Sequence, residues 1–88
     1  PRLAMIDRAE QFLRSHGFAT CRVRYHRGDL ARVEVPREDL PRVLEGDFRR
    51  QLVEHLSDLG FKFVTLDLQG FRSGSLNVLV PVDQLRQA

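Results

Sequence analysis

An α+β fold is predicted: a small antiparallel sheet of three to four strands with two main helices on one face, in the order α-β-β-α-α-β. Three observations predict it. Apolar residues recur at helical spacing in two main stretches, they alternate with polar residues in three others, and each helical stretch ends on the same pair, Gly17-Phe18 and Gly60-Phe61. The resulting helix–Gly–Phe–strand unit occurs twice, at Glu10–Arg24 and Val53–Asp67, but it is too short and degenerate for a solenoid repeat.

The first helix is marked by Met5, Ala9, Phe12, Leu13 and His16, with Gly17 as its stop. Cys21, Val23 and Tyr25 then alternate with Arg22, Arg24 and His26, giving a half-buried strand with a basic outer face. Arg27-Gly28-Asp29 reads as a turn. The return strand sets Ala31, Val33 and Val35 against Leu30, Arg32 and Glu34, so the two runs form an antiparallel hairpin. Pro36 and Pro41 bracket a short helical segment that reaches Leu44 and closes at Gly46. Asp47 is the expected N-cap of the second main helix, with Phe48, Leu52, Leu56 and Leu59 on one side. In the third strand Val64, Leu66 and Leu68 face one way and Phe63, Thr65 and Asp67 the other. Asn77 to Val82 suits a fourth short strand that Pro81 confines to an edge. The helices are expected to cover Val23, Val33 and Leu66, leaving Arg22, Arg24, His26, Arg32, Glu34 and Asp67 on the opposite face.

With 88 residues the chain is long enough for one domain with a modest core. It begins at Pro1 rather than methionine, so a processed piece or a domain of something longer is expected. A net charge of +2 excludes a polycation. Eleven of the fourteen basic residues are nevertheless arginines between Arg2 and Arg50. Arginine suits bidentate contact with carboxylate or phosphate, although a GC-rich genome writes arginine for lysine as well. A single cysteine cannot form an internal disulfide and gives no metal-ligand spacing, so a reducing, cytoplasmic setting is expected. No run approaches transmembrane length, and the start does not resemble a signal peptide.

Three constellations could carry chemistry. The segment Leu66 to Asn77 follows a strand with Gly70 and Gly74 interleaved with the donors Arg72, Ser73, Ser75 and Asn77. That composition suits gripping an anion, and it equally suits a glycine-rich exit from the strand. Arg22 and Arg24 stand two residues apart on one strand face, roughly 6.5–7 Å from each other. Glu34 and Asp67 can pair with them, either neutralising the face or orienting the guanidinium groups for an anionic ligand. Glu10, Glu34 and Asp39 are the candidate hard-metal ligands because Mg²⁺ and Mn²⁺ prefer carboxylate oxygen, although their spacing matches no ligand pattern and surface solvation also explains them. His16, His26 and His55 form no pair at metal spacing, and Cys21 falls on the core side, as expected of an inert buried thiol. There is no Ser-His-Asp ordering, Walker loop or dinucleotide fingerprint. The residues describe an anion-binding module rather than a self-sufficient catalyst.

Several segments occur together in a telling order: Ala9-Glu-Gln-Phe-Leu13, Gly17-Phe18, Arg22-Val-Arg-Tyr-His26, Gly28 to Pro36, Leu59 to Leu68, and Gly70-Phe-Arg-Ser-Gly-Ser-Leu-Asn77. As a set they resemble the C-terminal region of the ATP-dependent sacrificial sulfur transferases called LarE, in the PP-loop ATP pyrophosphatase superfamily. The resemblance implies a parent protein with an N-terminal PP-loop domain that uses ATP and Mg²⁺ to adenylate a pyridinium dicarboxylate mononucleotide. A cysteine then gives up its sulfur, toward a nickel-pincer nucleotide cofactor. By that resemblance Arg22 and Arg24 match paired arginines that hold substrate or phosphate, and Arg72 and Ser73 match the terminal loop. Glu10 and Glu34 match acidic positions near the active site, with Asp39 a weaker match, and a divalent metal is implied there. It also implies a homo-oligomer, and the lack of a transmembrane-length run leads to the expectation of no membrane partner. The PP-loop is absent from this chain, and Cys21 does not match the sulfur-donating cysteine, so the sulfur source (sacrificed cysteine or iron–sulfur cluster) stays open.

The leading expectation is therefore the C-terminal substrate-binding and assembly domain of such a sulfur transferase. An alternative is a small KH-like nucleic-acid module, which the element order and basic face suit but the acidic Leu44-Glu-Gly-Asp-Phe48 turn does not. A third is an oligomerisation domain whose arginine face is neutralised internally.

Overall fold

The computed structural model describes residues 1–71. The chain runs through α1 (Arg2–Ser15), β1 (Arg22–His26), β2 (Leu30–Glu34), a 3-10 turn (Arg37–Asp39), α2 (Leu40–Leu44), α3 (Gly46–Leu59) and β3 (Phe63–Leu66). This is the predicted α+β order. The suggested strand at Asn77–Val82 lies outside the described residues.

The sheet order is β1-β2-β3, with β2 in the centre. β1 and β2 pair antiparallel as expected, but β3 runs parallel to β2, so the sheet is mixed rather than antiparallel throughout. Connection length is the reason. The three residues 27–29 can only reverse the chain, whereas the helical crossover after β2 carries it back to the end where β2 began. There the carbonyl of Asp29 accepts the N–H groups of both Lys62 (2.7 Å) and Phe63 (3.3 Å), which pins the start of β3 beside the start of β2.

Both main helices end by the same physical device. In Leu13-Arg-Ser-His-Gly-Phe18 and Leu56-Ser-Asp-Leu-Gly-Phe61 the Phe N–H donates to the Leu carbonyl at 3.1 Å. The glycine N–H donates to the carbonyl of Arg14 or Ser57 at 3.0 Å. These are Schellman closures, and they need a left-handed residue, supplied by Gly17 (φ 94°) and Gly60 (φ 117°). Each closure drives its phenylalanine into the core, where Phe18 is 1% and Phe61 2% exposed.

The core lies between the helices and one sheet face. Ala9 and Leu13 of α1, Val43 of α2, and Leu52 and Leu56 of α3 pack with Val23, Ala31 and Val33 of the sheet. Leu66 is partly buried against them, as the alternation required. Leu68 is not: β3 ends at Leu66, and Leu68 is largely exposed. Asp67 turns the chain instead, its carboxylate accepting the Gln69 N–H at 2.9 Å and its carbonyl the Gly70 N–H at 3.1 Å. At α3 the expected N-cap also shifts. The helix starts at Gly46 with Glu45 at the cap position and no side-chain cap bond, and Asp47 sits in the first turn beside Arg50. A carboxylate there still favours the helix dipole.

Candidate functional site: the arginine face of the sheet

The outer face is ordered in rows set by strand register. Arg22 lies opposite Glu34; Arg24, Arg32 and Thr65 form the next row; His26, Leu30 and Phe63 form the third. Alternation places every one of these side chains away from the helices, and the predicted outer set is found there.

Glu34 organises the face. It is 7% exposed and is the buried charged residue among the described residues. Its Oε1 accepts a hydrogen bond from Arg24 Nε at 3.4 Å, and its Oε2 forms an ion pair with Arg32 Nη2 at 3.1 Å. Arg32 Nη1 also lies 3.5 Å from Asp67 Oδ2, while its buried Nε has no hydrogen-bond partner among the described residues. The network therefore runs Arg24–Glu34–Arg32–Asp67, two guanidinium groups against two carboxylates. Arg22 stands beyond it, with no hydrogen bond or ion pair among the described residues. Among the described residues the ion pairs of this face thus leave one arginine unused, and it is on the edge strand. An open cleft of about 480 Å³ follows that edge, lined by β1 from Arg22 to His26, by Arg32, and by Ile6 and Glu10 of α1.

The three candidate metal-ligating carboxylates do not converge. Glu10 sits on α1, its Oε2 accepting the Val23 N–H at 3.0 Å and its Oε1 3.8 Å from Arg14 Nη1. It thereby satisfies an outward-facing donor of the edge strand, which would otherwise be open to another chain. Glu34 is occupied by two arginines. Asp39 lies just before α2 and pairs with Arg42 at 3.5 Å. Among the described residues no three His, Cys, Asp or Glu side chains form a group able to hold a metal ion. The physical reason is that each acid already has a local cationic or N–H partner. The donors among the described residues do not fit a shared divalent ion.

Arg72 and Ser73 lie outside the described residues. The segment leading to them is described: the Phe71 N–H donates to the Val35 carbonyl at 2.7 Å, so the chain passes close to the Glu34 end of the arginine face. Gly70 (φ 84°) is required for that passage, because a Cβ there would meet Arg37 Cγ at 2.6 Å. Cys21 is 8% exposed with its thiol directed at the Glu10 carbonyl (3.8 Å). Burial pushes its pKa up, with Glu10 adding to the rise and Arg14 and Arg22 only partly offsetting it. It is a core thiol and not a ready thiolate.

Sequence reasoning placed Arg32 on this face without giving it a role, although its guanidinium links both carboxylates. Its central position in β2 was the available signal, since a middle strand touches both neighbours. The edge-capping role of Glu10 had no signal in sequence, because it depends on how α1 crosses β1.

Fold and face together define a small α+β module with an arginine-lined cleft suited to an anion. No family model matches the chain. Over 83 residues, 94% of its length, it is 45% identical to the pyridinium-3,5-bisthiocarboxylic acid mononucleotide synthase of Lactiplantibacillus plantarum. It is also 40% identical over 76 residues, 86% of its length, to an uncharacterized protein of Synechocystis sp.. The chain is thus similar over nearly its whole length to part of a LarE-type synthase, as its ordered motifs indicated. It spans 29% and 28% of the lengths of these two curated relatives. No helix among the described residues is long and apolar enough to cross a membrane.

Proposed function

We propose that this chain is the C-terminal substrate-binding and assembly domain of an ATP-dependent sulfur transferase acting in nickel-pincer nucleotide cofactor synthesis. Its role is to hold the phosphate or carboxylate groups of a pyridinium mononucleotide. Arg22 and Arg24 are the principal contacts, with Arg72 and Ser73 as further donors from the terminal loop. Glu34 fixes Arg24 from below, while Arg22 presents a guanidinium without a protein partner among the described residues. ATP and Mg²⁺ belong to a neighbouring N-terminal PP-loop domain, and the assembled protein is a cytoplasmic homo-oligomer in this reading.

The observation that carries the proposal is Arg22 in the cleft lining with no ion pair among the described residues, in a chain 45% identical to a mononucleotide synthase. A charge-assisted contact to phosphate contributes about 1.5–3 kcal/mol, so removing one arginine should weaken binding about tenfold or more. Calorimetric titration of nicotinate mononucleotide into the chain and its Arg22→Ala and Arg24→Ala variants tests this. Saturable binding, weakened in both variants, is expected. Tight binding of a single-stranded RNA with steep salt dependence, and none of the mononucleotide, would favour the KH-like reading instead.

A further inference from the structure

Arg24 and Arg32 use their guanidinium groups differently. Arg24 meets Glu34 through Nε, the nitrogen nearest its own chain. Arg32 commits both terminal nitrogens, Nη2 to Glu34 at 3.1 Å and Nη1 to Asp67 at 3.5 Å. Its Nε is buried and has no hydrogen-bond partner among the described residues, so the two carboxylates, not its own inner donor, dictate how this side chain lies. Arg32 nevertheless lines the cleft, and its side chain is 40% exposed. Asp67 is held from its own side. Its N–H donates to the Val33 carbonyl at 2.9 Å, its Oδ1 accepts the Gln69 N–H at 2.9 Å, and its carbonyl accepts the Gly70 N–H at 3.1 Å. The remaining carboxylate oxygen, Oδ2, is the one on Arg32. The turn after β3 thus fixes a carboxylate on the fork of an arginine that an anion in the cleft could otherwise reach.

We infer that Asp67 is a positioning residue that sets the specificity of the proposed anion site: it withholds Arg32, so that a ligand meets Arg22 and Arg24 rather than three arginines. The inference deepens the anion site and rests on it. Carboxylate and phosphate oxygens compete for the same planar guanidinium fork. Asp67 is already fixed to the sheet by its backbone, so it competes as an internal anion that loses little freedom in doing so. While Asp67 is charged, Arg32 is matched by two carboxylates and adds little to the pull on an incoming anion. Without that charge, three arginines of the face would share Glu34 alone, and the face would suit an anion of higher charge, such as a diphosphate. An ion pair that served stability alone would leave ligand preference untouched.

Calorimetric titrations of nicotinate mononucleotide and inorganic pyrophosphate into the full 88-residue chain test this. Asp67→Asn keeps an oxygen for the Gln69 N–H and removes the charge. It should tighten pyrophosphate binding about tenfold, as expected for one further charge-assisted contact, and mononucleotide binding less. Adding Arg32→Gln should abolish the gain. Asp58→Asn, which removes an exposed carboxylate on α3, should change neither affinity by more than about twofold. In NMR spectra the Arg32 Nε–H signal should move on pyrophosphate addition in Asp67→Asn and stay in place in the wild type. Where melting shows that the amide variant does not fold, Asp67→Ser replaces it, since a hydroxyl oxygen also accepts the turn N–H. A folded Asp67 variant with unchanged or weaker pyrophosphate binding overturns the inference. So does an equal gain from Asp58→Asn, or a wild-type Arg32 signal that moves with ligand, and each of these leaves the anion site standing. No binding of either probe to the wild type overturns both the inference and the anion site beneath it.

Discussion

The two faces of the sheet are built from the same alternating strands, yet different forces hold them. On the inner face Val23, Ala31 and Val33 are at most 2% exposed and meet α1 and α3, so their contribution is apolar burial. On the outer face Arg22, Arg24 and Arg32 share the surface with the carboxylates Glu34 and Asp67, and geometry decides which pairs form. The inner face accepts any well-shaped apolar set. The outer face depends on where each charge sits, and among the described residues its ion pairs leave one arginine over. The contrast teaches that stability and binding are separable in this fold, and each can be perturbed alone.

The largest effect is expected on the inner side. Leu56→Ala removes a fully buried side chain and should cost about 2–5 kcal/mol, read as a lower urea midpoint. If the variant stays folded, anion affinity should hold, because α3 does not line the arginine cleft. Glu34→Gln is the next, and it crosses between the faces. Its partners are about 40% exposed, so the loss should be roughly 1–2 kcal/mol, below that for a fully buried pair. Ligand affinity should fall with it, because Arg24 loses its anchor.

Gly60→Ala should cost roughly 1–2 kcal/mol, since an L-residue is strained at φ 117°. The flexible Met5 terminus, 3.2 Å from the added Cβ, can move aside, so backbone strain sets the magnitude. The smallest effect concerns Cys21. Its thiol pKa is raised in the folded state above the ordinary 9.0, chiefly by burial. The unfolded thiol therefore ionises first, and the stabilisation present below pH 9 should be lost as pH rises through and beyond it. Cys21→Ala should flatten that alkaline decline in a pH series of melting temperatures.

How much of this was legible follows from the same contrast. Alternation and helical spacing respond to burial, so Val23, Val33 and the two Gly-Phe closures were readable, and the outer face emerged as the complement of the inner one. The direction of β3 was not readable, because it depends on where the α2–α3 crossover returns the chain. Leu68 continued the alternation but fell beyond the strand, where the Asp67 turn replaces pairing. The arginines of the site were visible as residue types. The division of labour among Arg22, Arg24 and Arg32 was not, since it turns on side-chain distances of 3–4 Å around Glu34 that no spacing encodes. For Glu10 and Asp39, sequence gave oxygen chemistry without location, and folding gave each a partner of its own.

The most direct measurement is a paired one on Arg22→Ala: thermal stability of the variant alongside its affinity for nicotinate mononucleotide. Arg22 has no ion pair among the described residues to lose, so stability should change by less than about 0.5 kcal/mol while affinity falls about tenfold or more. A variant that binds as tightly as the wild type, or one that loses stability and affinity together, would contradict an outer face reserved for a ligand.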